Sequence, residues 1–375
     1  MAQGIAIINY PDYEPQRWHG TLIYWLVLLG AFAINRWGAK ILPAIEVVSM
    51  ALHVIMFFLI LIPTVVVTPD RHSAEYVFTT FLNFSGWDND GIAWCIGLLT
   101  SSYVMVGADS VMHMSEEMKE PRKGIPRAMI GSLLINGPMG FAMLIALLFS
   151  MGDLADAVNS STGFPIIEIF LHVTRGNVAA ASAMTASIVI SATLATVALM
   201  ASASRTLWAC ARDDLPPFSG WLSHLHPTHH IPTNSMYCTL GVLVILGLLQ
   251  IASTAAFNAY TSLAVVSLYL SYLMPILGML YCRIFNPSLL EFGPWRLGPH
   301  MGMAINIAAV CYLIIACLFI MLPPTRPVTA LNMNYAPVIL GASIIFVTVY
   351  WFFKKDKFSA RSEAARHEAE ARAPQ

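Results

Sequence analysis

Apolar runs of nearly uniform length, separated by short polar breaks, recur from residue 20 to residue 353. Runs of about 20 apolar residues match the hydrocarbon thickness of a bilayer. Read this way, the sequence predicts an all-α membrane protein with about nine transmembrane helices: 20–37, 41–66, 92–114, 126–150, 178–202, 234–255, 258–281, 301–322 and 336–353. Only Arg36-Trp37-Gly38-Ala39-Lys40 separates the first two, a tight connection with Gly38 as the stop signal. Residues 69–91 are polar, aromatic and acidic. Residues 152–177 contain TGFPIIEIFLHVTRG, an amphipathic piece that either lies over the mouth of a pathway or packs on the bundle for stability. Residues 204–233 begin as a polar helix extension and become a loop marked by Pro216, Pro217, Pro227 and Pro232. The charged, alanine-rich stretch 354–375 reads as a short surface helix or a disordered tail. The expected organisation is an N-terminal segment, 1–19, a transmembrane domain, 20–353, and a tail, 354–375.

Composition strengthens this picture. Apolar residues make up 57% and charged residues 11%, with mean hydropathy +0.66; soluble domains carry about 25% charged residues. No basic patch interleaved with aromatics is present, so no nucleic-acid partner is expected. Cys95, Cys210, Cys238, Cys282, Cys311 and Cys317 fall in or beside apolar runs without metal-ligand spacing, and read as free thiols. His224, His226, His229 and His230 share one loop but have no fixed ligand spacing, so a solvated loop is expected there rather than a metal centre. No nucleophile elbow, phosphate-cradling loop or HExxH pair occurs, so neither an enzyme nor a cofactor is expected.

Lys and Arg set the expected orientation. Sixteen of the 20 fall in alternate connections and the tail, and four (Arg17, Arg71, Arg175 and Arg326) on the opposite side. This places the C-terminus in the cytoplasm and, with nine spans, the N-terminus outside. The N-terminal residues carry no basic region and no cleavage pattern, so they do not read as a signal peptide.

The chemistry concentrates in Ser101–Arg127, SSYVMVGADSVMHMSEEMKEPRKGIPR. It begins in an apolar run, passes Gly107 and Asp109, and ends in a charged, proline-bounded loop. A carboxylate within a span faces a cavity, a partner or a substrate, and a glycine beside it permits unwinding. Tyr103–Ala108 are therefore expected to form the unwound middle of a broken helix, with Ser101 and Ser102 satisfying freed backbone groups. The competing readings are a plain glycine packing notch and pairing of Asp109 with a Lys or Arg from 119–127. His53, seven residues after Glu46 in the second run, is the histidine placed for proton coupling, against the plainer reading of a hydrogen-bonded bundle histidine. Ser182, Thr185, Ser187, Ser191, Thr193 and Thr196 make 178–202 suited to close packing, or to binding a cation or substrate. The run Asn258–Tyr272 either lines a pathway or belongs to the interface belt.

Several stretches, in order along nearly the whole chain, resemble the fungal amino acid/choline transporter branch of the amino acid–polyamine–organocation superfamily. They include YEPQRWHGTLIYW, VGADSVMHMSEEMKEPRKGIPRAM, LINGPMGFAMLIALLFSMGDL, ASRTLWACARDDLPPF and STAAFNAYTSLAVVSLYLSY. The resemblance implies a partial five-plus-five inverted-repeat transporter fold, with the nine spans as family helices four to twelve and the first three absent. It implies a small amine or amino acid as substrate, such as choline or γ-aminobutyrate, and a proton or sodium as coupling ion. It places the substrate-binding segment on Tyr103, Val104, Met105, Val106, Gly107, Ala108 and Asp109, and the gating glutamates on Glu116 and Glu117. His53 falls where bacterial relatives carry a lysine whose ammonium occupies a sodium position. Ser191 and Thr193 are the hydroxyls nearest that position. The expected setting is a multi-pass protein of the plasma membrane, with the vacuolar membrane as alternative. Other expectations are an exporter of a nitrogen-containing metabolite, a transport-incompetent fragment, or an incomplete gene model.

Overall fold

The computed structural model describes residues 1–372 except 116–117, 229–230, 253, 291 and 331, and gives backbone alone at 250, 252, 254–258 and 356–372. In chain order the helices are α1 (Ala2–Asn9), α2 (Arg17–Trp37), α3 (Leu42–Val66), α4 (Ala74–Thr79) and α5 (Asp90–Val104). There follow α6 (Ser110–His113), α7 (Pro121–Ser150), α8 (Leu154–Val158), α9 (Pro165–Val173) and α10 (Val178–Arg212). The last five are α11 (Ser219–Leu222), α12 (Thr233–Ala252), α13 (Thr254–Phe285), α14 (Pro299–Ile320) and α15 (Ala336–Arg372). Among the described residues seven helices are long and apolar enough to cross a membrane. The other two expected spans are the interrupted pair α5 and α6, and α12, a continuous helix of 20 residues. The charged tail does not separate from the last span: α15 runs through both, because alanine, glutamate and arginine sustain a helix as readily as the apolar residues before them.

The helix boundaries follow local chemistry. Gln16 and His19 form a reciprocal capping box at the start of α2, and Gly38 ends it. Asn177 accepts from the backbone N–H of Ala180 to start α10, and Ser73 accepts from that of Tyr76 to start α4. In the 165–173 segment Ile167, Phe170 and Val173 recur every third residue and are fully buried, so α9 is a packed element of the bundle.

The chain divides into two compact units. The first comprises residues 1–82, 105–253 and 291–297. Its centre is α10, which packs against α2, α3, α9 and α12. Leu28, Phe32, Val197, Met200 and Met236 close one core between α2, α10 and α12. Ile60, Phe170, Val173, Ala181 and Met184 close a second between α3, α9 and α10. Small residues along α10 allow these close approaches, and most of its hydroxyls turn back onto their own helix: Thr185 donates to Ala181 O, Ser187 to Ala183 O and Thr196 to Ala192 O. Most apolar side chains of α3 and α7 point away from the protein, as lipid-facing surfaces do.

Buried Asn35 joins α2 to α10. Its Nδ2 donates to Ala31 O at 2.9 Å and to Val197 O at 3.0 Å. Asn35→Ala removes the bond between helices and is expected to cost about 0.5–1.5 kcal/mol, read as a lower midpoint in thermal unfolding of the detergent-solubilised protein; an unchanged midpoint would assign the contact no role in holding α2.

The second unit comprises residues 83–104, 254–290 and 298–375. Val265, Val266 and Tyr269 of α13 pack on Leu313, Ala316, Cys317 and Ile320 of α14, with Leu99 of α5 and Leu340 of α15 at the margins. Arg326 stacks over the Trp87 ring at 3.9 Å and donates its backbone N–H to Ser85 O, which ties the segment before α5 to the one after α14.

Candidate functional site

The helix that begins at Asp90 stops at Val104 and resumes only at Ser110. Between them Met105–Asp109 are turns, and Gly107 has φ +98. That value lies where an L side chain is strained and glycine is not. A Cβ built on Gly107 would meet only Ser110 Oγ, at 3.7 Å, so conformation rather than space makes glycine the fitting residue. The Ser110 N–H donates to Gly107 O at 3.1 Å and starts α6. The chain passes from the second unit to the first at this interruption.

The side chains around it differ sharply in environment. Tyr103, Val104, Met105 and Val106 are exposed, Gly107 and Ala108 half-buried, and Asp109 is 8% exposed. Asp109 does not meet a Lys or Arg of 119–127. Its side-chain partner among the described residues is His113, one turn later, with Nε2 at 3.4 Å from Oδ2. The Lys123 ammonium is engaged instead by Glu120, at 3.4 Å. Asp and His four residues apart stand on one helix face; the spacing is legible in DSVMH within the expected 92–114 span, but weighing Asp109 against the Lys and Arg of 119–127 passes over His113.

On the other side of the interruption Ser101 donates to Leu98 O within α5. Ser102, buried, meets Tyr312 OH at 3.3 Å, which lies 3.5 Å from Tyr269 OH. The end of α5 is thus anchored by hydroxyls of α13 and α14 inside the second unit. Tyr269 belongs to the Asn258–Tyr272 run and is core at this point; the side chain of Asn258 lies outside the described residues.

The residues expected to couple an ion lie on α3 and α10. His53 is exposed on α3 and has no side-chain hydrogen bond among the described residues. Glu46 forms no ion pair with it. Ser191 Oγ donates to Met56 Sδ at 3.2 Å, one turn beyond His53, whereas Thr193 donates to Val189 O within its own helix. Of this set the structure brings Ser191 near the His53 turn. Glu116 and Glu117, and His229 and His230, lie outside the described residues.

Among the described residues, seven apolar helices of membrane-crossing length, and one further helix interrupted by glycine beside a buried carboxylate, define a multi-pass helical membrane protein. Sequence comparison makes the assignment specific. The family described as amino acid permease matches residues 1–344, and the chain belongs to that family. It is 30% identical to a choline transporter of Saccharomyces cerevisiae over 369 residues, covering 98% of this chain and 64% of the yeast protein. It is 32% identical to a putative amino acid/polyamine transporter of Macrophomina phaseolina over 333 residues, 88% of this chain and 73% of the relative. Amino-acid permease 2 of Neurospora crassa is 31% identical over 286 residues, 76% of this chain and 51% of the relative. The chain therefore spans about half to three quarters of the length of these relatives. The family is one of transporters, not enzymes.

Proposed function

We propose that the chain is a secondary active transporter that moves choline, an amino acid or a related amine across a membrane, with the 103–109 interruption as its substrate-binding segment. One observation carries the proposal: an apolar helix stops at Val104, turns through Gly107 at positive φ and restarts beside buried Asp109. Backbone groups released from a helix inside a span can coordinate charged or polar ends of a solute without further charged side chains. Asp109 adds a carboxylate complementary to an ammonium or quaternary nitrogen. Similarity to a choline transporter and to an amino acid/polyamine transporter supports this substrate class.

In this reading the expected spans correspond to helices four to twelve of a five-plus-five inverted-repeat fold. Tyr103 and the Met105–Ala108 backbone shape the site, and Glu116 and Glu117 gate its cytoplasmic end. A proton or sodium ion is coupled, with His53, Ser191 and Thr193 as the positions the family resemblance favours. The 1–19 segment lies outside and the 354–375 tail in the cytoplasm, in the plasma membrane.

Reconstitution tests this directly. Proteoliposomes preloaded with unlabelled choline should take up radiolabelled choline by counterflow, and a second set should do so with γ-aminobutyrate if amino acids are carried. Counterflow indistinguishable from protein-free liposomes with both solutes would overturn the proposal.

A further inference from the structure

A small cavity lies inside the second unit, where α5, α13 and the segment between α14 and α15 meet. Ile96 and Leu99 of α5, Thr261 and Ser262 of α13, Ile320 of α14 and Asn334 beyond it line a volume of about 170 Å³. Apolar cavities of about 150 Å³ hold a benzene-sized molecule, so this one has room for a solute of that size. No charged side chain and no aromatic ring is among the described residues that line it. It therefore offers an ammonium or quaternary nitrogen neither a carboxylate nor a ring face, and does not suit choline or an amino acid.

The amide side chains of its wall are already engaged. Asn334 Nδ2 donates to Ile320 O at 2.9 Å, and its Oδ1 accepts the Ala336 N–H at 3.1 Å. Asn332 Nδ2 donates to Pro327 O at 2.9 Å, and its Oδ1 accepts the Thr329 N–H at 2.6 Å. Beside Pro324 of the same wall, Pro323 O accepts from Trp87 Nε1 at 3.3 Å. These bonds fix the 322–334 wall, so the cavity is pre-formed. Ser262 is different. A serine within a helix ordinarily returns its hydroxyl to a carbonyl three or four residues back, as Ser271 does to Leu268 O on this same helix. Ser262 is 3% exposed and has no hydrogen-bond partner among the described residues. A buried hydroxyl without a partner is costly, and a ligand atom that bonds to it removes that cost.

We propose that this cavity binds a small neutral molecule with an apolar body and one hydroxyl, held by Ser262, and that its occupant slows transport. The apolar body rests on Ile96, Leu99 and Ile320, and the hydroxyl meets Ser262 Oγ. Leu99 lies in the last turns of α5 before that helix stops at Val104, so the occupant braces the half-helix that leads into the substrate segment. An occupant that binds the braced state better than the others shifts the population toward it.

Binding stands on its own; the slowing of transport rests on the transport reading above, and the two are measured separately. Phenol is the probe, and toluene, of the same size without the hydroxyl, is the control. Saturation-transfer NMR on the purified protein in deuterated detergent should show saturable phenol binding to wild type, weaker toluene binding, and no displacement of phenol by excess choline. Ser262→Ala keeps the cavity and loses the hydroxyl, and should weaken phenol binding about two- to tenfold, the worth of one neutral hydrogen bond. Ser262→Leu fills the cavity and should abolish saturable binding. In proteoliposomes phenol should lower choline counterflow by wild type as the site fills, and leave that of Ser262→Leu unchanged. Where Ser262→Leu fails to fold, Ser262→Ala carries the comparison: the phenol needed for half-inhibition should rise by the same factor as its dissociation constant. Phenol binding that is absent, equal in wild type and Ser262→Ala, matched by toluene or displaced by choline overturns the site. Ser262-dependent binding that leaves counterflow untouched overturns the brake on transport. Ser262-dependent binding to a wild type that shows no counterflow overturns the transport reading and leaves the site standing.

Discussion

Gly107→Ala is expected to lower choline counterflow roughly five- to a hundredfold while leaving the amount of folded, monodisperse protein unchanged. The residue holds φ +98, and a Cβ added there would have no neighbour closer than 3.7 Å, so alanine meets no clash. It meets conformational strain alone, of about 1–3 kcal/mol for a non-glycine residue in such a region. That strain favours states in which the helix is continuous or differently turned, and so depopulates the interrupted conformation by the corresponding factor. Gly97→Ala supplies the control. Gly97 lies inside α5 with nothing within 4 Å of an added Cβ, and in a helix interior alanine is more stable than glycine by about 0.5–1 kcal/mol. Initial counterflow rates of the two variants decide the matter. Equal, undiminished rates would mean that the turn at Gly107 plays no part in transport.

The second large effect concerns stability. Gly247 of α12 lies beneath two aromatic rings of α2: an added Cβ would come within 2.7 Å of Tyr24 Cε1 and 2.9 Å of Trp25 Nε1. Neither ring is free to swing away. Tyr24 OH donates to Leu243 O and Trp25 Nε1 to Val244 O, each at 3.2 Å, and Thr21 donates to Gly247 O itself. Even Gly247→Ala must therefore either break these bonds or part α2 from α12. Overpacking of this kind costs about 1–3 kcal/mol, and the lost hydrogen bonds add to it. The expected result is a thermal midpoint lower by roughly 5 °C or more in detergent. Gly241→Ala, on the same helix with open space around it, should leave the midpoint unchanged or raise it. A midpoint for Gly247→Ala equal to that of Gly241→Ala would show that α2 and α12 do not meet closely at this point.

Much of this protein is legible in its residues alone. Span lengths depend on bilayer thickness and on the need to satisfy every backbone group within its own helix, both local properties that composition records. The glycine at 107 beside a carboxylate at 109 marks the interruption, because glycine's backbone freedom is likewise local. The count of long apolar helices is less well determined. The apolar run at 92–114 looks like a full span, yet it is cut by its own turn. The tail 354–375 shows the converse, since helix propensity outlasts hydrophobicity and α15 continues past the last apolar residue of the span.

What periodicity and composition determined, then, is that the chain is a multi-pass helical membrane protein with a weak point at Gly107. Tertiary structure alone decided the partners of its polar groups. Ser102 could cap freed backbone, and it meets Tyr312 instead. His53 could sit within the bundle, and it lies exposed on α3. The physical reason is the same in each case. A helix face is set by a 3.6-residue repeat within the chain, but which neighbour covers that face depends on packing among residues as much as 210 positions apart, and no local pattern encodes it.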